Sequence, residues 1–293
     1  MAFLQPDRRL LGIVSPARAT HGDAFSAWRV GRSELGAQGN PFFNLDHFSM
    51  RGPTFPPHPH AGFSAVTYVL PESAIGMTNR DSRGDRSAIP PGGLHWTAAG
   101  SGIVHEEVPD LPGAMVEGMQ IFVRQPQDQE VAPPRIHHVD ADAIPLASLP
   151  GGGWLRILAG RYESLQAAFA PPSPLALIDV KLAPGGGMTW PDSSPQAAPE
   201  ARMPWTLLVY LFRGALDLGE GYPREIRAPA MLIWETGLSP VALHALETDA
   251  RFLILSGEPL DQPSIANGPF VMSSEDALRD AVSRFKAGAM GRI

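Results

Sequence analysis

The sequence predicts an all-β protein made of two β-sandwich or barrel domains, with a short helix near the C-terminus. Its 293 residues include 30 glycines and 31 prolines, well above ordinary usage, and such a composition favours many turns between short strands. Apolar and polar residues also alternate in short bursts at 63–70, 118–123 and 205–212, each bounded by glycine or proline. Alternation with a period of two is typical of strands that bury one face.

The length of the chain favours two domains of about 100–150 residues each. Residues 132–153 are rich in proline, alanine, aspartate and glycine and show little periodicity. A strand-like pattern resumes at Trp154 and continues to about Ser256, in a block that resembles a partial copy of the first. We therefore predict an N-terminal domain over residues 1–140 and a C-terminal domain over 141–293.

The clearest helix is predicted over residues 273–288. Its apolar residues fall on one face at helical spacing: Ala277, Leu278, Ala281, Val282 and Phe285. Ser273, followed three residues later by Asp276, is the predicted N-cap, and Gly288 is the predicted stop. We expect this helix to be structural and to pack against a domain.

Composition excludes several classes of function. The net charge of −7 and the absence of any lysine or arginine run predict no direct nucleic-acid binding. The absence of cysteine excludes disulfides and thiolate metal sites. The first apolar run, residues 10–14, is too short for a signal-peptide core, and no stretch approaches the ~20 apolar residues of a membrane span. We expect a soluble cytoplasmic protein with no membrane partner.

Two short motifs carry metal-binding chemistry. His58 and His60 stand at i and i+2, and so do His105 and Glu107. In an extended strand that spacing points both side chains of a pair to the same side of the sheet, so two strands supply four ligands to one ion. Imidazole and carboxylate suit a first-row transition metal, and four ligands leave octahedral positions open. Iron(II) is the predicted metal, with manganese, cobalt, nickel, copper and zinc as alternatives, and Glu106 is expected to face away from it.

These motifs resemble those of a known family. Residues 52–60 and 84–92 match the openings of the two cupin motifs, and four segments resemble the pirin family of bicupins: 43–48 (FNLDHF), 55–60 (FPPHPH), 92–107 (GGLHWTAAGSGIVHEE) and 268–272 (GPFVM). The resemblance covers nearly the whole chain. It implies two stacked cupin domains, with one metal in the N-terminal domain held by three histidines and a glutamate. Carried over by position, these are His58, His60, His105 and Glu107.

The chain departs from the pirin pattern at four positions that we expect to surround the metal: Ala61, Ser64, Asn79 and Ser101. Many pirins carry arginine, glutamate, histidine and arginine there, respectively. Residues that neighbour metal ligands tune metal affinity, so these departures bear on activity more than on metal binding.

His95 offers an alternative third histidine, because the general cupin pattern places its third histidine at that point. Pirins usually carry glutamine there and take the ligand from a later strand. We favour His105, since only His105 is accompanied by Glu107. The other histidines (His21, His47, His137, His138 and His244) are expected to be ordinary surface or core residues. Because the second block has only His244, we expect no metal site in the C-terminal domain.

The resemblance implies an iron dioxygenase of the quercetin 2,3-dioxygenase type, with dioxygen and a flavonol as substrates and Glu107 accepting the flavonol hydroxyl proton. The alternative is a non-enzymatic redox sensor whose iron alters a surface that binds a transcriptional or metabolic protein partner. A third reading is a metal-free structural relic. Five residues could line a substrate pocket, although we expect most of them to be core: Met50, Phe63, Tyr68, Trp96 and Phe122.

Overall fold

The structure, a computed structural model, describes residues 8–190 and 204–293. The elements up to residue 143 are β1 (Leu10–Val14), β2 (Ala17–His21), β3 (Phe25–Val30), α1 (Arg32–Leu35), a 3-10 helix (Gly36–Gly39), β4 (Phe42–Met50), β5 (His58–His60), β6 (Phe63–Val69), β7 (Met77–Asp81), β8 (Ala88–Ile89), β9 (Leu94–Ala98), β10 (Ile103–Pro109), β11 (Val116–Arg124), α2 (Gln127–Glu130) and β12 (Arg135–Val139).

The elements after residue 143 are β13 (Leu146–Ser148), β14 (Gly153–Ala159), β15 (Arg161–Tyr162), β16 (Leu165–Gln166), β17 (Leu175–Leu182), β18 (Gly187–Trp190), β19 (Trp205–Arg213), β20 (Ala215–Asp217), β21 (Ile226–Arg227), β22 (Ala230–Gly237), β23 (Val241–Ala245), β24 (Ala250–Gly257), β25 (Ile265–Asn267), β26 (Phe270–Met272) and α3 (Glu275–Lys286). Strands dominate and α3 lies near the C-terminus, which confirms the predicted fold class. None of the described helices has the length and apolar character that a membrane span requires.

The chain forms two compact units, and each is built from three segments that are not continuous in sequence. One unit takes the described parts of 1–16, 32–41 and 144–259, and the other takes 17–31, 42–143 and 260–293. We call them the 144–259 unit and the 42–143 unit. The division at residue 140 stays a prediction about where independent domains begin and end.

The 144–259 unit contains a seven-stranded sheet in the order β1-β22-β19-β24-β17-β14-β13 and a four-stranded sheet in the order β18-β23-β20-β21. Fully buried side chains, among them Leu207, Trp234 and Phe252, form its core. Strand β1 pairs antiparallel with β22, so residues from the start of the chain complete this unit rather than the one that follows them in sequence.

The 42–143 unit also contains two larger sheets. One has seven strands in the order β12-β9-β6-β11-β4-β3-β2, and the other has four strands in the order β5-β10-β7-β8. The connection from β5 to β6 turns at Gly62, whose φ of +81° suits glycine. A Cβ at Gly62 would also collide with the backbone carbonyl of Val271, so glycine is required where β26 approaches the end of the His58–His60 strand.

Helix α3 confirms the predicted C-terminal helix but corrects its start. Its N-cap is Ser274, not Ser273, and the Ser274 hydroxyl accepts a hydrogen bond from the backbone N–H of Ala277 at 3.2 Å. Ser273 instead donates both its backbone N–H and its hydroxyl to Glu130, at 2.9 and 2.7 Å. Gly288, at φ +72°, follows the helix end as predicted. The apolar face of α3 packs on a cluster that includes Ala61 and Phe270.

Candidate metal centre

A cavity of about 320 Å³ lies in the 42–143 unit, and side chains from both of its larger sheets line it. Strand periodicity explains which residues reach it, because residues two apart share a face. Strand β4 contributes Asn44, Asp46, Phe48 and Met50, all of one parity. The four-stranded sheet contributes His58 and His60 from β5, Met77 from β7, and His105 and Glu107 from β10. All four predicted ligands therefore line one cavity.

The pairing of β5 with β10 brings the two histidine motifs together. In this antiparallel ladder His105 is directly opposite His58, and Ile103 is opposite His60. Side chains directly opposite one another project from the same face of the sheet. The i,i+2 spacing then adds His60 on one strand and Glu107 on the other to that face.

The three histidines form a compact triangle. The ring centroids of His58, His60 and His105 lie 4.8 Å apart in each of the three pairs. A potential ligand nitrogen from each ring lies within 4.8 Å of the other two. Among the described residues, these three form the group of histidine and acidic side chains that could hold a metal ion. A histidine-rich site suited to a metal is therefore present.

Burial keeps the three imidazoles in their neutral form, which metal binding requires. It lowers the pKa of His60 to about 3, with a smaller contribution from His58, and it lowers the pKa of His105 well below its usual value. The pKa of His58 is also lowered by burial. His58 Nδ1 lies 3.0 Å from the carbonyl oxygen of Pro56. A proton on Nδ1 donates to that oxygen and leaves the Nε2 lone pair for a metal.

Glu107 projects into the same cavity and is held from the opposite sheet. The hydroxyl of Thr67 donates a hydrogen bond to Oε2 of Glu107 at 2.8 Å, while Oε1 is buried and has no hydrogen-bond partner among the described residues. Burial raises the pKa of Glu107 to about 7, and the bond from Thr67 opposes that rise. A buried carboxylate oxygen without a partner, in the cavity that three neutral imidazoles line, suits a divalent cation, although the compact group of candidate ligand atoms contains the three histidines and not Glu107. The assignment of these four residues as the ligand set stays a prediction.

His95 does not join the triangle. It lies on β9, fully buried, and both of its ring nitrogens lack a hydrogen-bond partner among the described residues. Its ring is 5.8 Å from that of His138, and it is not among the cavity-lining residues. Burial lowers the pKa of His95 to about 4, so it is a neutral core histidine.

Glu106 lies between the two ligand candidates in sequence but forms an ion pair with Arg80 of β7. Arg80 is its direct neighbour in the β10–β7 ladder. This arrangement agrees with the expectation that a regular strand turns Glu106 away from the metal candidates.

Of the four positions that depart from the pirin pattern, Ala61, Ser64 and Asn79 are buried and Ser101 is half-buried. Ala61 packs in the cluster with α3, and Ser64 is fully buried. The amide of Asn79 donates to Asp85 at 2.9 Å. The carbonyl oxygen of Ser101 accepts a hydrogen bond from Arg284 at 3.2 Å. None of the four is among the residues that line the cavity.

The apolar candidates divide between core and cavity. Met50 and Phe122 line the cavity, whereas Phe63, Tyr68 and Trp96 are buried away from it. Sequence reasoning missed several lining residues: Phe25, Arg29, Asn44, Asp46, Phe48, Phe55 and Met77. Period-two parity within β3 and β4 was available as a signal for most of them, but parity alone does not say which face of a strand meets a cavity.

The 144–259 unit offers no comparable group of metal-ligating side chains among its described residues. Its histidine, His244, lies exposed on β23.

Comparison with known proteins identifies the family. The Pirin family model matches residues 24–123, and the Pirin C-terminal cupin domain model matches residues 192–291. Two proteins of Pseudomonas aeruginosa, both named "Putative quercetin 2,3-dioxygenase", are similar to this chain. One is 35% identical over 299 residues, covering 96% of this chain and 98% of the relative. The other is 30% identical over 262 residues, covering 86% and 87%.

Solved structures agree with this similarity. The crystal structure of quercetin 2,3-dioxygenase from Acinetobacter baumannii matches with a TM-score of 0.84 at 29% identity, covering 98% of this chain and 99% of that one. The bacterial pirin YhhW from Escherichia coli, solved in complex with nickel(II), matches with a TM-score of 0.63 at 17% identity, over 85% of this chain and 100% of that one. The latter shows shared fold alone. The family models, the close relatives and the two cupin-type units together establish that this chain belongs to the pirin family of bicupins.

Proposed function

We propose that the chain is a metal-dependent dioxygenase that cleaves flavonols such as quercetin, with iron(II) held by His58, His60, His105 and Glu107. The observation that carries the proposal is the triangle of imidazole rings, 4.8 Å on each side, at a cavity large enough for a small aromatic molecule. Ligand pockets span roughly 300–1,000 Å³, and this one lies within that range. The names of the similar Pseudomonas and Acinetobacter proteins support the same reaction.

The shape and chemistry of the cavity suit a planar aromatic substrate. Its apolar lining comes from both sheets and from the connection before β5: Phe25, Phe48, Met50, Phe55, Met77 and Phe122. The ring of Phe122 lies 5.7 Å from that of His60, so an aromatic surface continues up to the histidines. Such walls exclude water and place the substrate oxygens beside the triangle.

A metal bound by these residues would act as a Lewis acid toward substrate oxygens and offer a position for dioxygen. The residues of the chain do the rest. His58, His60 and His105 would hold the ion as neutral donors. Glu107 would act as a base by loosening from the ion, so that Oε1 becomes free to accept the proton of the flavonol hydroxyl while Thr67 holds Oε2 in place.

The test is turnover by protein loaded with metal under anaerobic conditions. Iron(II)-loaded protein mixed with quercetin and oxygen is expected to consume the flavonol and release carbon monoxide. His105→Ala, loaded identically, should not turn over. Absence of turnover with the iron, manganese, cobalt, nickel and copper forms would reject the proposal.

A further inference from the structure

We infer that the Arg29–Asp46 ion pair recognises two adjacent hydroxyl groups on the ring of the substrate that lies furthest from the metal. This assignment rests on the proposed function for the identity of the substrate. It makes the pair a specificity determinant for neutral, catechol-bearing polyphenols, and neither residue was singled out by sequence reasoning.

The ion pair stands at one end of a polar row that crosses the cavity face of the seven-stranded sheet. Thr67 on β6 is directly opposite Gln120 on β11, Gln120 is opposite Asp46 on β4, and Asp46 is opposite Arg29 on β3. Residues directly opposite one another share a face, so all four side chains project to the same side. The Thr67 hydroxyl lies 3.0 Å from Oε1 of Gln120 and also bonds Glu107. The row therefore begins at the metal candidates and ends at the ion pair.

The length of this row matches a flavonol. Neighbouring strands lie about 4.8 Å apart, so Asp46 is about 10 Å from Thr67 along the sheet and Arg29 about 14 Å. A flavonol consists of a fused two-ring system with a pendant phenyl ring. When its chelating oxygens lie beside Glu107, its long axis directed along the row carries the pendant ring toward Asp46 and Arg29.

The ion pair retains donors and acceptors for a ligand. Arg29 Nε and Nη2 donate to Oδ1 and Oδ2 of Asp46, both at 2.6 Å. A guanidinium has five N–H donors and a carboxylate about four acceptor positions. Two of each are used in the pair, which leaves donors on Arg29 beside acceptor positions on Asp46. One hydroxyl of a catechol can donate to Asp46 while its neighbour accepts from Arg29.

The charge balance of the pair selects neutral ligands. Asp46 is nearly buried, with 8% of its side chain exposed, while the Arg29 side chain is 47% exposed. The hydrogen bonds that Arg29 donates to Asp46 raise the pKa of Arg29, so the guanidinium stays charged and is balanced by the carboxylate. An anionic ligand would meet the fixed carboxylate of Asp46 as well as Arg29. A neutral diol satisfies both partners without that repulsion.

Aromatic side chains line the cavity on the same two strands as the ion pair. Phe25 shares a face of β3 with Arg29, and Phe48 shares a face of β4 with Asp46; their rings stack with centroids 6.2 Å apart. Phe55 meets Phe25 edge to face at 5.0 Å. A pendant ring is thus received between apolar side chains and the polar row, the arrangement by which pockets fix ligand orientation.

The test is the affinity of the metal-loaded protein, without oxygen, for quercetin and two analogues that carry one and no hydroxyl on the pendant ring. Fluorescence quenching gives each dissociation constant without turnover. Quercetin is expected to bind about thirtyfold more tightly than the analogue with none, the effect of two net hydrogen bonds. An analogue with a pendant-ring carboxylate is expected to bind more weakly than quercetin.

Substitution isolates the contribution of the pair. In Arg29→Met/Asp46→Leu, apolar side chains replace both charges together, which avoids leaving a buried charge alone. This variant is expected to bind the three flavonols with equal affinity, close to that of the unhydroxylated analogue in the native protein. Arg279→Met removes an arginine from the exposed Arg279–Asp276 pair on α3 and should keep the native preference.

The outcomes separate this inference from the proposed function. Equal affinity of the native protein for all three flavonols overturns the inference, and so does tighter binding of the carboxylate analogue. If the protein turns over quercetin but binds the three flavonols with equal affinity, the dioxygenase proposal stands and this inference does not. If it prefers quercetin over the other two flavonols but does not turn it over, recognition by the ion pair is supported and catalysis is not. If no flavonol binds the native protein, both are rejected. If the double variant fails to fold, the ligand series on the native protein still tests the preference for two adjacent hydroxyl groups over none and over a carboxylate, and a failure of either preference overturns the inference.

Discussion

His105 lies directly opposite His58 in the β5–β10 ladder, and their ring centroids are 4.8 Å apart. This relationship joins two motifs separated by more than forty residues in the sequence. It also gives each histidine a second neighbour, His60, at the same distance. The consequences for metal content, stability and pH dependence can be tested one by one.

Removal of a histidine from the triangle should remove the metal. His58→Ala and His105→Ala are each expected to lose most of the bound metal, whereas His95→Ala should retain it, because His95 lies outside the group of potential ligands. Elemental analysis after iron supplementation and desalting measures the metal content per chain. Loss of metal in His95→Ala with retention in His105→Ala would transfer the third ligand to His95.

The hydroxyl of Thr67 should support metal binding through Glu107. Thr67→Val keeps the shape of the side chain but removes the donor to Oε2. Loss of a group that orients a ligand typically weakens metal affinity about 10–100-fold, and we expect a loss of about tenfold here. Competition with a chelator measures the affinity. Thr67→Ser restores the hydroxyl and is the matched control; equal weakening in both variants would contradict a role for the hydrogen bond.

Metal removal should lower thermal stability. An ion that binds only the folded protein stabilises it by about 2.7 kcal/mol when its concentration is 100 times Kd. A shift of about 5–10 °C in the melting temperature of the 42–143 unit follows for a domain of this size. Calorimetry with and without chelator measures it. In His58→Ala the chelator should have no effect, and an equal shift in that variant would place the stabilising ion elsewhere.

His95 should make the protein sensitive to mild acid. Burial lowers its folded pKa to about 4, below the ordinary value of about 6.5 in the unfolded chain. The unfolded state therefore binds the proton first, and stability is lost as the pH falls from about 6.5 toward 4. At pH 5 the loss is about 2 kcal/mol.

His95→Gln removes this titration. Urea unfolding of metal-free protein at pH 7.5 and pH 5 should show a smaller difference in unfolding free energy for the variant, by about 2 kcal/mol. The other histidines are common to both proteins, so their contributions cancel. An unchanged difference would show that His95 does not carry the effect.

The two serines before α3 should contribute to stability in different ways. Ser274→Ala removes the N-cap and is expected to cost about 1 kcal/mol. Ser273→Ala removes one donor to the buried carboxylate of Glu130, with an expected cost of about 1–3 kcal/mol. Denaturant unfolding compares the two. If Ser274→Ala leaves the unfolding free energy unchanged while Ser273→Ala lowers it, Ser273 would be the N-cap after all.

Local pattern predicted much of the site. The i,i+2 spacing in 58–60 and 105–107 required only that both segments be strands, and β5 and β10 are strands. The predicted cap at Ser273 was wrong because either serine can cap a helix and Asp276, three residues after Ser273, favoured the first of them. In the folded protein Ser273 donates to Glu130, which lies more than a hundred positions away in sequence. Ser274 is therefore the residue that caps the helix.

Local sequence pattern was enough to specify the all-β class, the C-terminal helix and the two metal-binding motifs, since each depends on the spacing of residues close together in the chain. The folded chain was needed to show that His105, and not His95, meets His58 and His60. Only it joined Arg29 to Asp46 and brought Thr67 to Glu107. These contacts depend on strand order and register between distant segments. A shift of register by one residue would turn the same side chains to the opposite face of the sheet.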